Sequence, residues 1–239
     1  MDLGIDGKVA LVTAASKGLG RASAVALSEA GAKVVICARG EAALKQAEAA
    51  MPGGALAIVA DVTDPGAPAA LVAATVERFG GLDILVGNAG GPPAGRALEP
   101  DDDAFRAAFE ANALTSIRLV RAAVPHMRSA GWGRICLIAS YSVKQPLPGL
   151  ALSNTARTAL WAWAKTAAAD LFPDGITLNL ALPGAHATDR MKALGGTGGG
   201  PMGDPADFGR VVAFLCSQPA GFVSGAALQV DGAATLGLL

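Results

Sequence analysis

Seven short apolar runs, separated by Ala-rich stretches, constrain this chain more than any other feature. They read "KVALVTA", "AKVVICA", "ALAIVADV", "LDILVGN", "GRICLIA", "GITLNLAL" and "AALQVDG". A strand that is apolar at successive positions has no solvated face, so these runs predict a sheet covered on both sides. The Ala-rich stretches, near residues 18 to 30, 41 to 51, 64 to 79, 101 to 129, 149 to 172 and 204 to 217, supply the helical crossovers that parallel pairing demands. The expectation is an α/β fold, one doubly wound parallel sheet of about seven strands with helices on both faces. No linker or shift in composition divides the 239 residues, so residues 1–239 read as a single domain. With 52% hydrophobic and 16% charged residues the chain can bury an extensive core, which excludes a disordered protein.

Charge and patterning narrow the partners. A formal charge of −1 with no Lys/Arg-rich run gives no footprint for nucleic acid or an anionic membrane, which leaves small molecules or proteins. No apolar run approaches the roughly 18 residues of a membrane span. The opening "MDLGIDGKVALV" moves from acids directly into strand-like sequence, so the chain reads as untargeted. Cys37, Cys136 and Cys216 are odd in number and lie among apolar neighbours, which suits buried reduced thiols and a cytoplasmic location. Two low-complexity passages, "GGPPAGRALEP" (90 to 100) and "LGGTGGGPMGDP" (194 to 205), cannot pack a core. Both follow strand ends, where ligands bind in this architecture, and the second reads as a Gly-rich substrate lid.

The first chemical signal is "VTAASKGLGRA", residues 12 to 22, a strand, a glycine turn and a helix. Gly18 and Gly20 let backbone approach a ligand, while the helix start offers free N–H groups and a positive dipole end to a pyrophosphate. After it come "ADV" at 60 to 62, "NAG" at 88 to 90, Asn112, "IAS" ending at Ser140, "PG" at 183 and 184, and "VDGA" near the end. In this order the motifs resemble the short-chain dehydrogenase/reductase family, of classical type and similar to its 3-oxoacyl-acyl-carrier-protein-reductase-like members, from about Lys8 to Ala233. The family has a Rossmann-like fold and a T-G-x-x-x-G-x-G glycine motif. Thr13, Gly18 and Gly20 match that motif, and Ala14 replaces its first glycine.

The resemblance implies cofactor contacts from the turn residues Thr13, Ala15, Ser16, Lys17, Gly18, Leu19 and Gly20, and from Asp61 and Val62 at the adenine. It adds Asn88, Ala89 and Gly90 beside the ribose, then Pro183, Gly184 and Thr188 near the nicotinamide. Thr188 also reads as a helix cap. Cofactor choice follows from charge at the second strand's end, where NAD requires an acid and NADP a cation. That strand ends "VVICARGEA", with Arg39 just past its tip, and Lys17 adds a second positive charge, so NADP(H) is favoured over NAD(H).

The family's reaction centre combines Asn, Ser, Tyr and Lys. Asn112 and Ser140 match their positions, but the tyrosine and lysine positions fall on Ser153 and Arg157. A serine hydroxyl is a far weaker acid than a phenol, and a guanidinium stabilises an oxyanion or holds a ribose without shuttling protons. General acid–base catalysis is worth typically ~10²- to 10⁴-fold, so slow turnover is compatible with this centre. Lys144, in the loop bordering the pocket, is a replacement acid if it is buried beside Arg157. Tyr141, the only tyrosine, is out of register with the family's acid. Ser142 would share the face of Ser140, Asn154 reads as a cap-region residue, His126 as structural, and His186 as able to reach substrate.

Three functions follow: an NADP-dependent reductase or dehydrogenase acting on a small carbonyl or alcohol, a catalytically silent dinucleotide-binding regulatory protein, and a non-redox isomerase, lyase or cyclase. The family's subunit contacts use the helices near 101 to 129 and 149 to 172, which implies a homodimer or homotetramer.

Overall fold

The computed structural model describes residues 2–196 and 200–238. Its strands are β1 (Val9–Val12), β2 (Lys33–Ala38), β3 (Ala55–Val59), β4 (Ile84–Gly87), β5 (Gly133–Ile138), β6 (Ile176–Pro183) and β7 (Ala227–Val230). They form one all-parallel sheet in the order β3-β2-β1-β4-β5-β6-β7, as the continuous apolar runs predict. The direction of winding reverses between β1 and β4, which opens a crevice at the carboxyl ends of those strands.

Alternating residues of each strand feed two cores. On one face Leu11, Leu85, Leu137 and Leu180 pack against α3 (Ala67–Phe79), α5 (Thr115–Ala130) and α6 (Ala151–Leu171). On the other, Val12, Val34, Val86 and Ala181 meet α1 (Gly18–Glu29), α2 (Glu41–Ala49) and α8 (Pro205–Leu215). Phe208 of α8 is fully buried there. A short α4 (Asp102–Phe109) precedes α5, and a five-residue α7 (Asp189–Ala193) follows β6.

One element departs from expectation. The single helix expected over 101 to 129 is interrupted by a π-turn at Glu110–Leu114. The N–H of Thr115 bonds Glu110 O, and its hydroxyl donates to the same carbonyl at 3.0 Å. The wider turn offsets α4 from α5 and carries Asn112 at its middle. No helix among the described residues is long and apolar enough to cross a membrane.

Candidate active site

The glycine turn joins β1 to α1 at the sheet's reversal point. Thr13 is fully buried; its hydroxyl donates to Asn88 O at 2.7 Å and accepts the Asn88 N–H at 2.8 Å, locking the ends of β1 and β4 together. Ala15 N–H reaches Cys37 O at 2.9 Å and ties the turn to β2. Gly20 leaves no room for a side chain, because a Cβ would stand 2.6 Å from Ala14 O and 2.7 Å from Asn88 Nδ2. Gly18 sits at φ +59°, in the region that favours glycine. The N-cap of α1 is Lys17, whose side chain makes no capping bond, and the first turn holds no acid. The first N–H groups of α1 therefore face the crevice without a side-chain acceptor, as an anion site requires.

At the tips of β2 and β3, Arg39 Nη1 lies 3.7 Å from Asp61 Oδ2, both well exposed. The Thr63 N–H and hydroxyl, and then Arg39, hold the Asp61 carboxyl below its ordinary range. Val62 turns inward and is buried. The chain after β4 carries Ala89 and the exposed Gly90 along the same edge.

Beyond β5 the chain turns at once. Ser140 Oγ accepts the Ser142 N–H at 3.1 Å and caps a 3₁₀ turn at Tyr141–Val143. Ser142 is therefore not a partner on the face of Ser140; it is fully buried and its hydroxyl has no bonding partner. Tyr141 packs against the α3/α5/α6 core, and burial together with the charge of Asp231 pushes its phenol up, away from useful acidity. Lys144 does not stand beside Arg157 as its assignment as acid requires. Its ammonium donates to Gln229 Oε1 of β7 at 3.0 Å.

Ser153 and Arg157 lie one turn apart on α6 and are both buried. Arg157 Nη1 donates to Ile138 O at 3.0 Å and Ala139 O at 3.2 Å, so it grips the end of β5 next to Ser140. Burial, and secondarily the charge of Arg190, push its guanidinium down to about 10. Asn154 donates to Leu147 O at 2.9 Å, and its Oδ1 is a buried acceptor without a partner. Asn112 Nδ2 donates to Ala108 O at 3.2 Å while its buried Oδ1 is also unpartnered, as a group held for a ligand or water would be.

At the end of β6, Gly184 packs on Asp231, where a Cβ would come 2.6 Å from the Asp231 Cα. Thr188 Oγ1 accepts the Met191 N–H at 3.3 Å and caps α7, while its methyl group is the atom a side chain at Gly18 would meet. The expectation that His186 reaches substrate is corrected. It is 5% exposed, bonds Gly184 O through Nδ1 and packs edge-on against Phe208 at 5.1 Å. The proposed lid at 194–205 includes residues 197–199, outside the described residues. Its far end is anchored, with Gly203 N–H on Ala185 O and Ala187 N–H on Gly203 O. A cleft of about 400 Å³ lined by Gly18, Arg21, Thr188, Asp204 and Arg210 flanks the glycine turn and not Ser140.

Sequence reasoning missed Arg190. From α7 it donates through Nη2 to Pro92 O at 2.7 Å, crossing from the β6 side of the crevice to the β4 side. The available signal was a cation two residues after Thr188 in "PGAHATDRM".

Fold and site define a doubly wound α/β protein whose glycine turn and reaction-centre candidates share the carboxyl edge of one sheet. A family model described as Enoyl-(Acyl carrier protein) reductase matches residues 13–235. Versicolorin reductase 1 of Aspergillus parasiticus is 38% identical over 96% of this chain and 97% of its own. L-sorbose reductase from Gluconobacter frateurii, solved with NADPH and L-sorbose, superposes with a TM-score of 0.90 at 32% identity over 97% of this chain and 98% of its own. A 7α-hydroxysteroid dehydrogenase solved with NADH and 7-oxo glycochenodeoxycholic acid gives 0.91 at 30%, over 100% and 98%. The chain belongs to the short-chain dehydrogenase/reductase family, and these relatives are oxidoreductases.

Proposed function

We propose that this protein is an NADP(H)-dependent oxidoreductase of a small carbonyl or secondary alcohol, folded as one domain, with an altered reaction centre. The observation that carries the reading is the uncapped N-terminus of α1 at the same carboxyl edge of the sheet at which Ser140 follows β5, together with the unpartnered Asn112 Oδ1. The residues present fit a dinucleotide: Ser16, Lys17, Gly18 and Leu19 would hold its pyrophosphate at the free start of α1, with Thr13, Ala15 and Gly20 shaping the turn behind them. Asp61 and Val62 would border its adenine, Asn88, Ala89 and Gly90 would stand beside its ribose, and Pro183, Gly184 and Thr188 near its nicotinamide. When bound, the nicotinamide supplies or accepts the hydride.

This chain's residues do the rest. Ser140 orients the carbonyl oxygen, Asn112 organises water, and Arg157, standing at the family's lysine position, stabilises negative charge beside it. Ser153 stands at the tyrosine position and donates a hydrogen bond without serving as a strong acid. The preference for NADP(H) rests on Arg39. Its exposed pairing with Asp61 is worth under about 1 kcal/mol, so a 2′-phosphate can take it over. Among similar structures one holds NADPH and another NADH, so this preference is argued from charge and not from fold.

A second reading, a silent dinucleotide-binding protein, draws support from Arg157, whose Nη1 is committed to two backbone carbonyls. Fluorescence titration with NADPH and NADH, followed by turnover on a panel of ketones, separates the two. Expected are tighter NADPH binding, lost in Arg39→Glu, and slow turnover that falls in Ser140→Ala. Binding without turnover on any ketone favours the silent reading. A homo-oligomer and a cytoplasmic location complete the proposal, the latter on three buried free thiols.

A further inference from the structure

We propose that Arg190 is a positioning residue that latches α7 across the mouth of the cofactor crevice, so that this one side chain sets how fast nucleotide enters and leaves. The inference rests on the dinucleotide-binding oxidoreductase reading and adds a gate to it. Strand β6 lies two strands from β4 and three from β1, yet α7, which follows it, touches the loops after both. On the β4 side Arg190 Nη2 donates to Pro92 O at 2.7 Å. On the β1 side Asp189 Oδ2 lies 3.5 Å from Lys17 Nζ, and the Thr188 methyl lies 3.7 Å from where a Cβ on Gly18 would stand. The segment therefore bridges the reversal point between β1 and β4, where the crevice opens.

The two pins are unequal. The contact between Lys17 and Asp189 is long and exposed and holds little, and a pyrophosphate at the start of α1 would draw Lys17 away from it. The bond from Arg190 is short and charge-assisted, and its acceptor is firmly held. Pro92 is buried and followed by a second proline. Farther along the same loop, Gly95 N–H donates to Gly149 O at 2.8 Å and Gly95 O accepts the Ala151 N–H at 3.3 Å, which ties the loop to the head of α6. Gly91 is shaped to the latch, because a Cβ there would stand 2.9 Å from Arg190 Nη2 and 3.2 Å from Cζ and Nε. The part that can move is α7. It has five residues, none of them buried, and it backs onto the cleft of about 400 Å³ that Thr188 and Asp189 line together with Arg21 of α1 and Arg210 of α8. Once released from Pro92 O, it has room there to swing off the crevice. Both atoms of the latch belong to this chain, so the bond resists the entry of a nucleotide as well as its escape.

Stopped-flow binding and release of NADPH, read by its fluorescence, test the gate in wild type, Arg190→Ala, Arg190→Lys, Gly91→Ala and the Gly91→Ala/Arg190→Ala double variant. Expected in Arg190→Ala are entry and exit both faster by about fivefold or more, the scale of one charge-assisted hydrogen bond, with Kd shifted by less than about twofold. Arg190→Lys keeps a donor and should restore part of the delay. Gly91→Ala should copy Arg190→Ala, because its methyl displaces only the far end of a flexible side chain, and it should add nothing in the double variant. Millisecond amide hydrogen exchange without nucleotide gives a second readout. The Met191 and Lys192 N–H groups, which bond to Thr188, should exchange about fivefold faster in Arg190→Ala while those of α1 hold. Faster exit with unchanged entry and a matching loss of affinity would make Arg190 a cofactor contact and overturn the gate. Unchanged rates, or unchanged exchange in α7, overturn it too. A wild type that binds neither NADPH nor NADH overturns the oxidoreductase reading, while the latch still stands or falls by the exchange.

Discussion

Ala14 stands at φ 47°, where family members of this kind carry glycine. A left-handed alanine costs about 1–2 kcal/mol, and a glycine there would return roughly 0.4–1 kcal/mol through the freer unfolded chain. Relief of strain wins. Ala14→Gly should stabilise the protein by about 0.5–1 kcal/mol, read as a higher urea midpoint, and a lower midpoint would refute the strain. Arg157 presents the opposite balance of stability and function. Its fall from the ordinary arginine value to about 10 corresponds to roughly 3 kcal/mol against the buried charge, at ~1.4 kcal/mol per pH unit. Arg157→Gln removes that charge and loses one of two carbonyl contacts, worth about 1 kcal/mol. The variant should therefore be more stable than wild type by roughly 1–2 kcal/mol at neutral pH, while losing function. The pH dependence has a definite sign. Above about 10 the folded arginine releases its proton while the unfolded one keeps it, so the unfolded state binds more protons and wild-type stability rises with pH. Urea midpoints should converge as pH climbs through about 10, and a wild type already the more stable at neutral pH would contradict this account.

Helix α1 is built for a ligand at the expense of its own cap. Lys17 makes no side-chain cap, and its contact with Asp189 at 3.5 Å is exposed and worth little. Lys17→Asp should cap α1 and stabilise it by about 1 kcal/mol, yet weaken dinucleotide binding about tenfold or more by placing an anion where the pyrophosphate belongs. Chemical denaturation and nucleotide titration on the same variant would show the two effects with opposite signs; tighter nucleotide binding would exclude α1 as the phosphate site. The elements themselves were legible because each strand is a continuous apolar run, which only a two-sided sheet can bury. The positions of Arg39 and Asp61 followed, since parallel strands end on one edge. The π-turn at Glu110–Leu114 was not legible, because its wider turn is a matter of backbone bonding and a single five-residue turn is too short to reveal a shift in apolar phase. Tertiary reach hid the rest: Arg190 meets Pro92 98 residues away, Gln229 claims Lys144 from β7, and Phe208 of α8 covers His186. None of these partners leaves a local mark in the sequence.

At the scale of the molecule, two of the exposed apolar surfaces among the described residues bear on assembly. A groove between α4 and α6 is lined by Phe105, Phe109, Leu152 and Ala156, with Phe109 39% exposed. Elsewhere Phe222, 90% exposed, meets Phe172 edge-on at 5.7 Å, in the segment that leads into the edge strand β7. Surfaces of this kind commonly mark interfaces, and a stable one needs about 800 Å² from each partner. The first groove matters most for chemistry, since α4 runs into the turn that holds Asn112 and α6 carries Ser153 and Arg157. A partner seated there would brace the reaction centre, whereas one at Phe222 would sit at a sheet edge. Two variants then distinguish a dimer from a tetramer by sedimentation velocity. Phe222→Asp should convert a tetramer to dimers with activity retained. Phe109→Asp should break the contact at the groove and lower turnover, while circular dichroism stays unchanged because the side chain lies outside both sheet cores. A wild type that sediments as single chains at micromolar concentration would sink the oligomer. Full turnover in a Phe109→Asp protein shown to have lost its groove contact would separate that contact from the chemistry, leaving Asn112 to be held by the Thr115–Glu110 bonds of its own turn.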